Sequence, residues 1–319
     1  MSSKYHLVKI LLKCFLLIAT TLIVDFSLSI AINRSLRSVG IGELGFQHVK
    51  KMQYDIVIFG ASKSITNYDP ATINEITGLS CYNLGSTGGT ILVQHPQVLR
   101  ILESYAPRLI VFELIGDDLG EWLLSYKEGR VVDRMLPHSD LPQVNAALSS
   151  IDRWHRFKAV LKTYKYKDVV VEVLVRLLQS GNLNYNTNLG FAPKGNNRGR
   201  EFKDISAEFD KRFDFGIDYK RSPVIEGVFD DLLTELVQNN VDAIFVHSPN
   251  YENSWNTIDP RIREMIEDKG FRYYNMGENL PAFDFSNADN YFDMLHMATI
   301  GAKQYSIMFS NFLLSLQLD

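Results

Sequence analysis

The sequence predicts a three-layer α/β/α sandwich around a parallel sheet, with a helical insert. Short apolar runs alternate with amphipathic segments, and most of the runs end in a turn of small or polar residues. The runs are Tyr54–Phe59, Ser80–Leu84, Leu109–Ile115 ("LIVFELI"), then "VDAIFVHSP" and "FRYYNM". Strands that are apolar throughout, rather than at every second residue, are buried on both faces, which a parallel sheet covered by helices provides. At 319 residues and 46% hydrophobic content the chain can build a sizeable core. The element order is βαβαβ, an insert, then αβαβα.

The connecting helices follow from periodicity and punctuation. "TILVQHPQVLRILESYAP" spaces Leu92, Leu99 and Leu102 for a helix, with Pro96 marking its start or a kink. "SPVIEGVFDDLLTELVQNN" begins with Ser222 as N-cap and Pro223 at the first helical position, and "DPRIREMIEDKG" is closed by Gly270. The insert spans about 120–221. Its "WHRFKAVLKTYKYKDVVVEVLVRLLQ" reads as a helix whose Trp154, His155, Arg156, Lys162 and Lys165 form a solvated basic face, with nucleic-acid or membrane-surface binding as the alternatives. "SGNLNYNTNLGFAPKGNNRGREF" reads as a long loop, mobile or acting as a substrate lid.

At the N-terminus Lys4, Lys9 and Lys13 precede the uncharged run Cys14–Val24; Asp25 interrupts, and Phe26–Ile32 resumes the apolar pattern. Residues 1–32 are therefore an export segment, 33–50 a connector and 51–319 the α/β domain. The segment is either a signal anchor or a signal peptide cleaved near Ser29-Ile30-Ala31, with a buried core helix as the third possibility. As an anchor, Cys14–Ile32 gives about 28 Å of helix, enough to span. Asp25 then costs roughly 2.5–3.5 kcal/mol inside the bilayer. Anchor and signal peptide alike place residues from about 40 onward outside the cytoplasm, periplasmic or at the cell surface.

A net charge of −4, from 33 basic and 37 acidic residues with no long run of one sign, argues against a nucleic-acid partner. Cys14 and Cys81 lie in different regions and form no CxxC or metal spacing. No cofactor and no metal is implied.

In parallel α/β sheets, ligands bind at the carboxyl ends of the strands, so the residues just after each strand are the candidates. These are Ser62 and Ser64, "NLGSTGG" at 83–89, Asp117 and Asp118, and His247 to Tyr251. Gly60 relieves backbone crowding, and Ser62 is either a nucleophile or the cap of the next helix. Asp293 stands three residues before His296, a spacing at which its carboxylate reaches Nδ1–H around one turn and leaves Nε2 free as a base. His247 is a satisfied polar residue or lines the site, as does Tyr251; Lys63 reads as a solvated turn residue. Asp117 or Asp118 caps the following helix or belongs to the site.

Gly60-Ala-Ser62-Lys-Ser64, Asp69-Pro70, "YNLGSTGG", the carboxylate-rich turn after the third strand and Asp293-x-x-His296 occur in this order. The pattern resembles the SGNH/GDSL hydrolase superfamily, in particular its membrane-anchored bacterial branch, over about 54–120 and 241–316. The resemblance implies a flavodoxin-like sheet, Ser62 as nucleophile, His296 as base, Asp293 as its partner, and an oxyanion hole from the N–H groups of Ser62 and Gly85. It also implies an esterase or O-acyltransferase acting on an acylated glycan or lipid of the cell envelope; the transferase form calls for a membrane-bound acyl-donor partner protein. Where that family carries an asparagine after the third strand, this chain has Asp117 and Asp118. An ionised carboxylate donates no hydrogen bond and repels an oxyanion, so either burial raises the pKa and keeps the Asp protonated, or another donor substitutes, or activity is weak or absent; a non-catalytic binding or assembly protein stands as the alternative.

Overall fold

The computed structural model describes residues 2–36, 49–125, 130–167, 188–195, 219–251 and 258–316. The chain divides into two compact units, Met1–Val39 with Val132–Leu183, and Gly40–Val131 with Asn184–Asp319.

The second unit contains β1 (Ile56–Gly60), β2 (Cys81–Asn83), β3 (Leu109–Glu113), β4 (Ala243–His247) and β5 (Arg272–Asn275). They form one sheet in the order β2-β1-β3-β4-β5, every pair parallel. This is the flavodoxin-like order, whose topological switch point lies between β1 and β3. β1, β3 and β4 are buried along their whole length, which is why their sequences are apolar except at the carboxyl ends of β3 and β4, where Glu113 and His247 stand.

Alternate residues feed two cores. Phe59, Phe112 and Phe245 are in register across β1, β3 and β4 and stack with ring centroids 5.6 and 4.9 Å apart. Phe229 of α8 (Pro223–Gln238) meets Phe245 edge-on, and α8 packs against α4 (Ile91–Leu102). The remaining strand residues Ile56, Ile58, Leu109, Val111, Ile244 and Val246 pack with Tyr68, Tyr305 and Phe309. On this side α3 (Pro70–Thr77) packs against α10 (Thr299–Ser315).

Local signals set the helix ends. Ser222 Oγ accepts from the Ile225 N–H with Pro223 at the first helical position. Asp259 caps α9 (Pro260–Asp268) through the Arg261 N–H and receives a two-pronged Arg221 guanidinium at 2.7 Å. Pro96 marks neither end of α4: it lies inside the helix, which begins at Ile91. Its missing N–H leaves the Leu92 carbonyl without the usual helical donor. The chain leaves the sheet and returns to it at one place, where Glu121 N–H donates to the Lys220 carbonyl and Ser222 N–H to that of Leu119, each at 2.8 Å.

The first unit contains α1 (Ser2–Leu36), α5 (Pro142–Ile151), α6 (His155–Val160) and α7 (Lys162–Lys165). The continuous helix expected through "WHRFKAVLKTYK" is broken at Leu161, whose backbone is extended; the rest of that segment beyond Lys167 lies outside the described residues. The expected basic face is also corrected. Buried His155 turns its ring inward, toward the Asp152 carbonyl at 2.8 Å and Asn145 Oδ1 at 3.0 Å, so Trp154, Phe157 and Val160 join Arg153 and Arg156 on the exposed side. Within α1, Tyr5–Ile30 is a 26-residue stretch long and apolar enough to cross a membrane. Its large apolar side chains are exposed while Asp25 and Ser29 are buried, the reverse of a core helix, which overturns that third possibility.

Candidate active site

The site lies at the carboxyl ends of β1 and β3, at the switch point of the sheet. β1 ends at Gly60, where an added Cβ would come within 2.8 Å of both the Glu113 and the Ser64 Cβ, so the crowded turn requires glycine. The turn delivers Ser62 to the first position of α2 (Ser62–Asn67), whose N-cap is Ala61 with no side-chain cap. Neither serine is therefore the helix cap. Ser64 is buried and its Oγ donates to the Ala61 carbonyl at 2.8 Å, while Ser62 is partly open to solvent.

Ser62 Oγ stands 2.7 Å from His296 Nε2. On the far side of the ring, Nδ1 is 2.9 and 2.8 Å from the two Asp293 carboxylate oxygens. The tautomer that satisfies both contacts carries its proton on Nδ1 and leaves Nε2 to accept from the serine hydroxyl. Asp293 Oδ1 also accepts the N–H groups of Leu295 and His296, each at 2.9 Å. Asp293 and His296 are thus joined by a tight bend closed by the bridge between Tyr291 and Met297, rather than by a helical turn. Burial pushes the Asp293 carboxyl up, but the hydrogen bonds from the His296 ring and the backbone N–H groups outweigh it, and the net shift is downward. With side chains 18% and 46% exposed, His296 and Asp293 are reachable from solvent.

The loop after β4 braces this bend. Tyr251 N–H donates to the Met294 carbonyl at 3.1 Å, and the Tyr291 hydroxyl to the Asn250 carbonyl at 3.0 Å. Tyr251 also packs its ring edge-on against Tyr291. His247 is buried and places Nδ1 3.1 Å from the Leu114 carbonyl, the satisfied polar role.

Several expectations change. Lys63 is not a solvated turn residue. It is buried, donates to the Ser248 carbonyl at 2.6 Å and stands 3.4 Å from Glu113 Oε1. Burial lowers the Lys63 pKa, with the Glu113 carboxylate opposing the shift. Glu113 in turn accepts the Ser248 N–H at 3.0 Å, its hydroxyl at 2.7 Å and the Tyr68 hydroxyl, which also receives the Tyr305 O–H at 3.0 Å. Sequence reasoning passed over this network, although a carboxylate inside the apolar run "LIVFELI" was its visible signal. Asn67 was passed over as well. Its side chain donates to Ser248 Oγ and accepts the Met297 N–H, both at 3.0 Å.

Gly85 lies close against the nucleophile turn: an added Cβ would come within 1.7 Å of Ser64 Oγ. Its N–H, however, donates to Asn83 Oδ1 at 3.0 Å instead of facing an open oxyanion position. Asn83 uses its amide to hold the Ser64 and Tyr68 carbonyls at 2.7 and 3.1 Å. Ser62, as the first residue of α2, has no intrahelical acceptor for its own N–H. Asp118 is no helix cap. Its Oδ2 turns back to accept the N–H groups of Ile115 and Gly116 at 2.9 and 3.0 Å. Burial, then the charge of Asp117, pushes the Asp118 carboxyl up to about 7 against the pull of those N–H groups. Asp117 is fully buried beside it.

Of the Asn/Gly-rich loop, residues 188–195 are described, and their backbone bonds to segments around the site. The Leu189 carbonyl accepts the Asn83 N–H at 3.0 Å, Ala192 N–H donates to Ile65 at 2.8 Å, and the Lys194 carbonyl accepts the Thr299 N–H at 2.9 Å. The remainder of that loop lies outside the described residues. No protein-family model and no curated protein matches the chain, so the meaning of the site rests on its own geometry.

Proposed function

We propose that this chain is a serine acyl-transfer enzyme of SGNH-like type, an esterase or O-acyltransferase for acylated glycans or other cell-envelope esters. The single observation that carries the reading is the line from Ser62 Oγ through the His296 ring to Asp293, with contacts of 2.7 and 2.8 Å. A serine hydroxyl is a weak nucleophile until a positioned base takes its proton, and an acid on the far ring nitrogen fixes the base's tautomer. The order of the Gly60–Ser64, Asn83–Gly85 and Asp293–His296 segments, which resembles the SGNH/GDSL pattern, supports the same reading.

In this mechanism His296 Nε2 takes the Ser62 proton as Oγ attacks the ester carbonyl. The tetrahedral adduct collapses, the C–O bond to the alcohol breaks, and His296 returns the proton to the leaving oxygen. Water or a sugar hydroxyl then attacks the acyl-Ser62 ester by the same steps in reverse. The N-terminal apolar helix fits a membrane-anchored enzyme with an extracytoplasmic site, where a membrane-bound acyl donor could hand over its group. The engagement of the Gly85 N–H by Asn83 Oδ1 favours the second reading, a non-catalytic binding or assembly protein.

The test is hydrolysis of activated acetyl and longer acyl esters by the full-length chain in detergent. Ser62→Ala and His296→Ala are expected to abolish turnover, and Asp293→Asn to reduce it while leaving a residue above background. Turnover unchanged in Ser62→Ala excludes the enzymatic reading.

A further inference from the structure

The first unit holds a polar contact inside an apolar helix. Asp25 lies within the stretch Tyr5–Ile30, yet it is buried, because both the backbone N–H of Thr163, at 2.8 Å, and the Thr163 hydroxyl donate to its Oδ1. Ser29, one helical turn further on, is buried as well. Elsewhere on the stretch the Thr21 and Ser27 hydroxyls donate to the Leu17 and Ile23 carbonyls at 2.9 and 2.8 Å. Asp25 therefore faces the inserted segment, and the large apolar side chains of α1 are exposed.

Asp25 is five residues before Ile30, so it lies about 8 Å inside the end of the stretch. Thr163, on α7, is held at that level. α6 precedes α7 with only Leu161 between them, and its outward side carries Trp154, Phe157 and Val160, which are 58%, 70% and 61% exposed. They recur every third residue and share one side of the helix. This exposure is enforced, since the buried His155 ring anchors the opposite side to Asp152 and Asn145. Arg153 and Arg156 flank the apolar residues, with the Arg153 guanidinium 5.2 Å from the Trp154 ring. Aromatic and aliphatic side chains rimmed by arginines, held at a depth of roughly 5–10 Å, are the composition and placement of a helix lying in the bilayer interface.

We infer that the inserted helices α6 and α7 form a membrane seat: docked on the anchor through Asp25 and Thr163, they bury Trp154, Phe157 and Val160 among the lipids beside it. The inference rests on α1 spanning a membrane, and it requires that α1 stays attached to the mature chain. The occupant of the exposed side is the bilayer, because the same structural unit already enters it through α1.

The test uses the full chain with Cys14→Ala, an environment-sensitive fluorophore placed in turn at Phe157→Cys, Ile23→Cys and Val237→Cys, and mixed phosphatidylcholine and phosphatidylglycerol liposomes. Nitroxide-bearing lipids are expected to quench the label at 157, most strongly with the nitroxide near the headgroup, and at 23, but not at 237 on α8. Adding Thr163→Val is expected to reduce quenching at 157 and leave that at 23. Quenching at 23 with none at 157 overturns the membrane seat while keeping the anchor. A label at 157 shielded from iodide but not quenched by lipid also overturns it, in favour of a protein partner or second copy. No quenching at 23 removes the spanning reading, and the seat with it. Quenching at 157 indifferent to Thr163→Val contradicts the docking through Asp25.

Discussion

Met297 donates its backbone N–H to Asn67 Oδ1 at 3.0 Å, which ties the residue after His296 to the last residue of the helix that Ser62 begins. Nucleophile and base come from segments more than two hundred residues apart, and this bond helps set their separation. Asn67→Ala is expected to lower kcat for ester turnover about tenfold, equivalent to about 1.4 kcal/mol, with KM unchanged. Ser248→Ala removes the hydroxyl that accepts from the Asn67 amide but spares the Met297 link, and is expected to lower stability while kcat stays near wild type. Steady-state kinetics on the two variants separate positioning from general destabilisation.

Lys63 and Glu113 form an ion pair with side chains 5% and 0% exposed, directly behind the nucleophile turn. Removing one member strands the other, so Lys63→Met alone is expected to cost about 3–5 kcal/mol. The double variant Lys63→Met/Glu113→Gln is expected to cost less than the sum of the singles, because neither charge is left behind. Denaturant titration of the four proteins measures that difference.

Gly85→Ala places a methyl group against Ser64 Oγ, and Ser64→Ala removes that oxygen. Overpacking of this kind is expected to cost about 1–3 kcal/mol in the single variant. Part is recovered in Gly85→Ala/Ser64→Ala, measured by thermal unfolding; Ile65 Cγ2 and Asn83 Oδ1, at 2.9 and 3.0 Å from the new atom, prevent full recovery.

Asp118 gives the fold a pH dependence of definite sign. Its folded pKa, about 7, lies above the ordinary 3.8 because burial and Asp117 disfavour the charge. The folded state therefore holds the proton more tightly, and the stabilisation present in acid is lost as pH rises from about 4 through 7. Asp118→Asn keeps an oxygen for the Ile115 and Gly116 N–H groups without titrating. Relative to that variant, wild type is expected to lose stability between pH 4 and 8, by on the order of 3–4 kcal/mol at 1.36 kcal/mol per unit. Parallel pH scans of denaturant midpoints check it; a constant gap between the two proteins contradicts the assignment.

The sheet was legible in the sequence because burial on both faces leaves apolar runs, as in "IVIF" and "AIFV", and the helix starts at Ser222 and Asp259 because caps are local chemistry. Ser62, His296 and Asp293 were legible through position and spacing. What was not legible depends on distant partners. Lys63 looks like a turn lysine until Glu113 and the Ser248 carbonyl, fifty and more than a hundred residues away, surround it. The Gly85 N–H looked available because the conformation that gives it to Asn83 is set by how Asn83 grips Ser64 and Tyr68. The helix expected from Trp154 onward breaks at Leu161; before the break His155 bonds to Asn145 and after it Thr163 bonds to Asp25, partners outside the segment that its periodicity does not reveal.

The proposed reaction depends on Ser62 being a nucleophile raised by His296. The most direct measurement is intact mass of the full-length chain after treatment with a fluorophosphonate, followed by peptide mapping. One adduct on Ser62, absent from Ser62→Ala and strongly slowed in His296→Ala, is the expected result. No adduct under conditions that label a reference serine hydrolase, or an adduct on another serine, contradicts it.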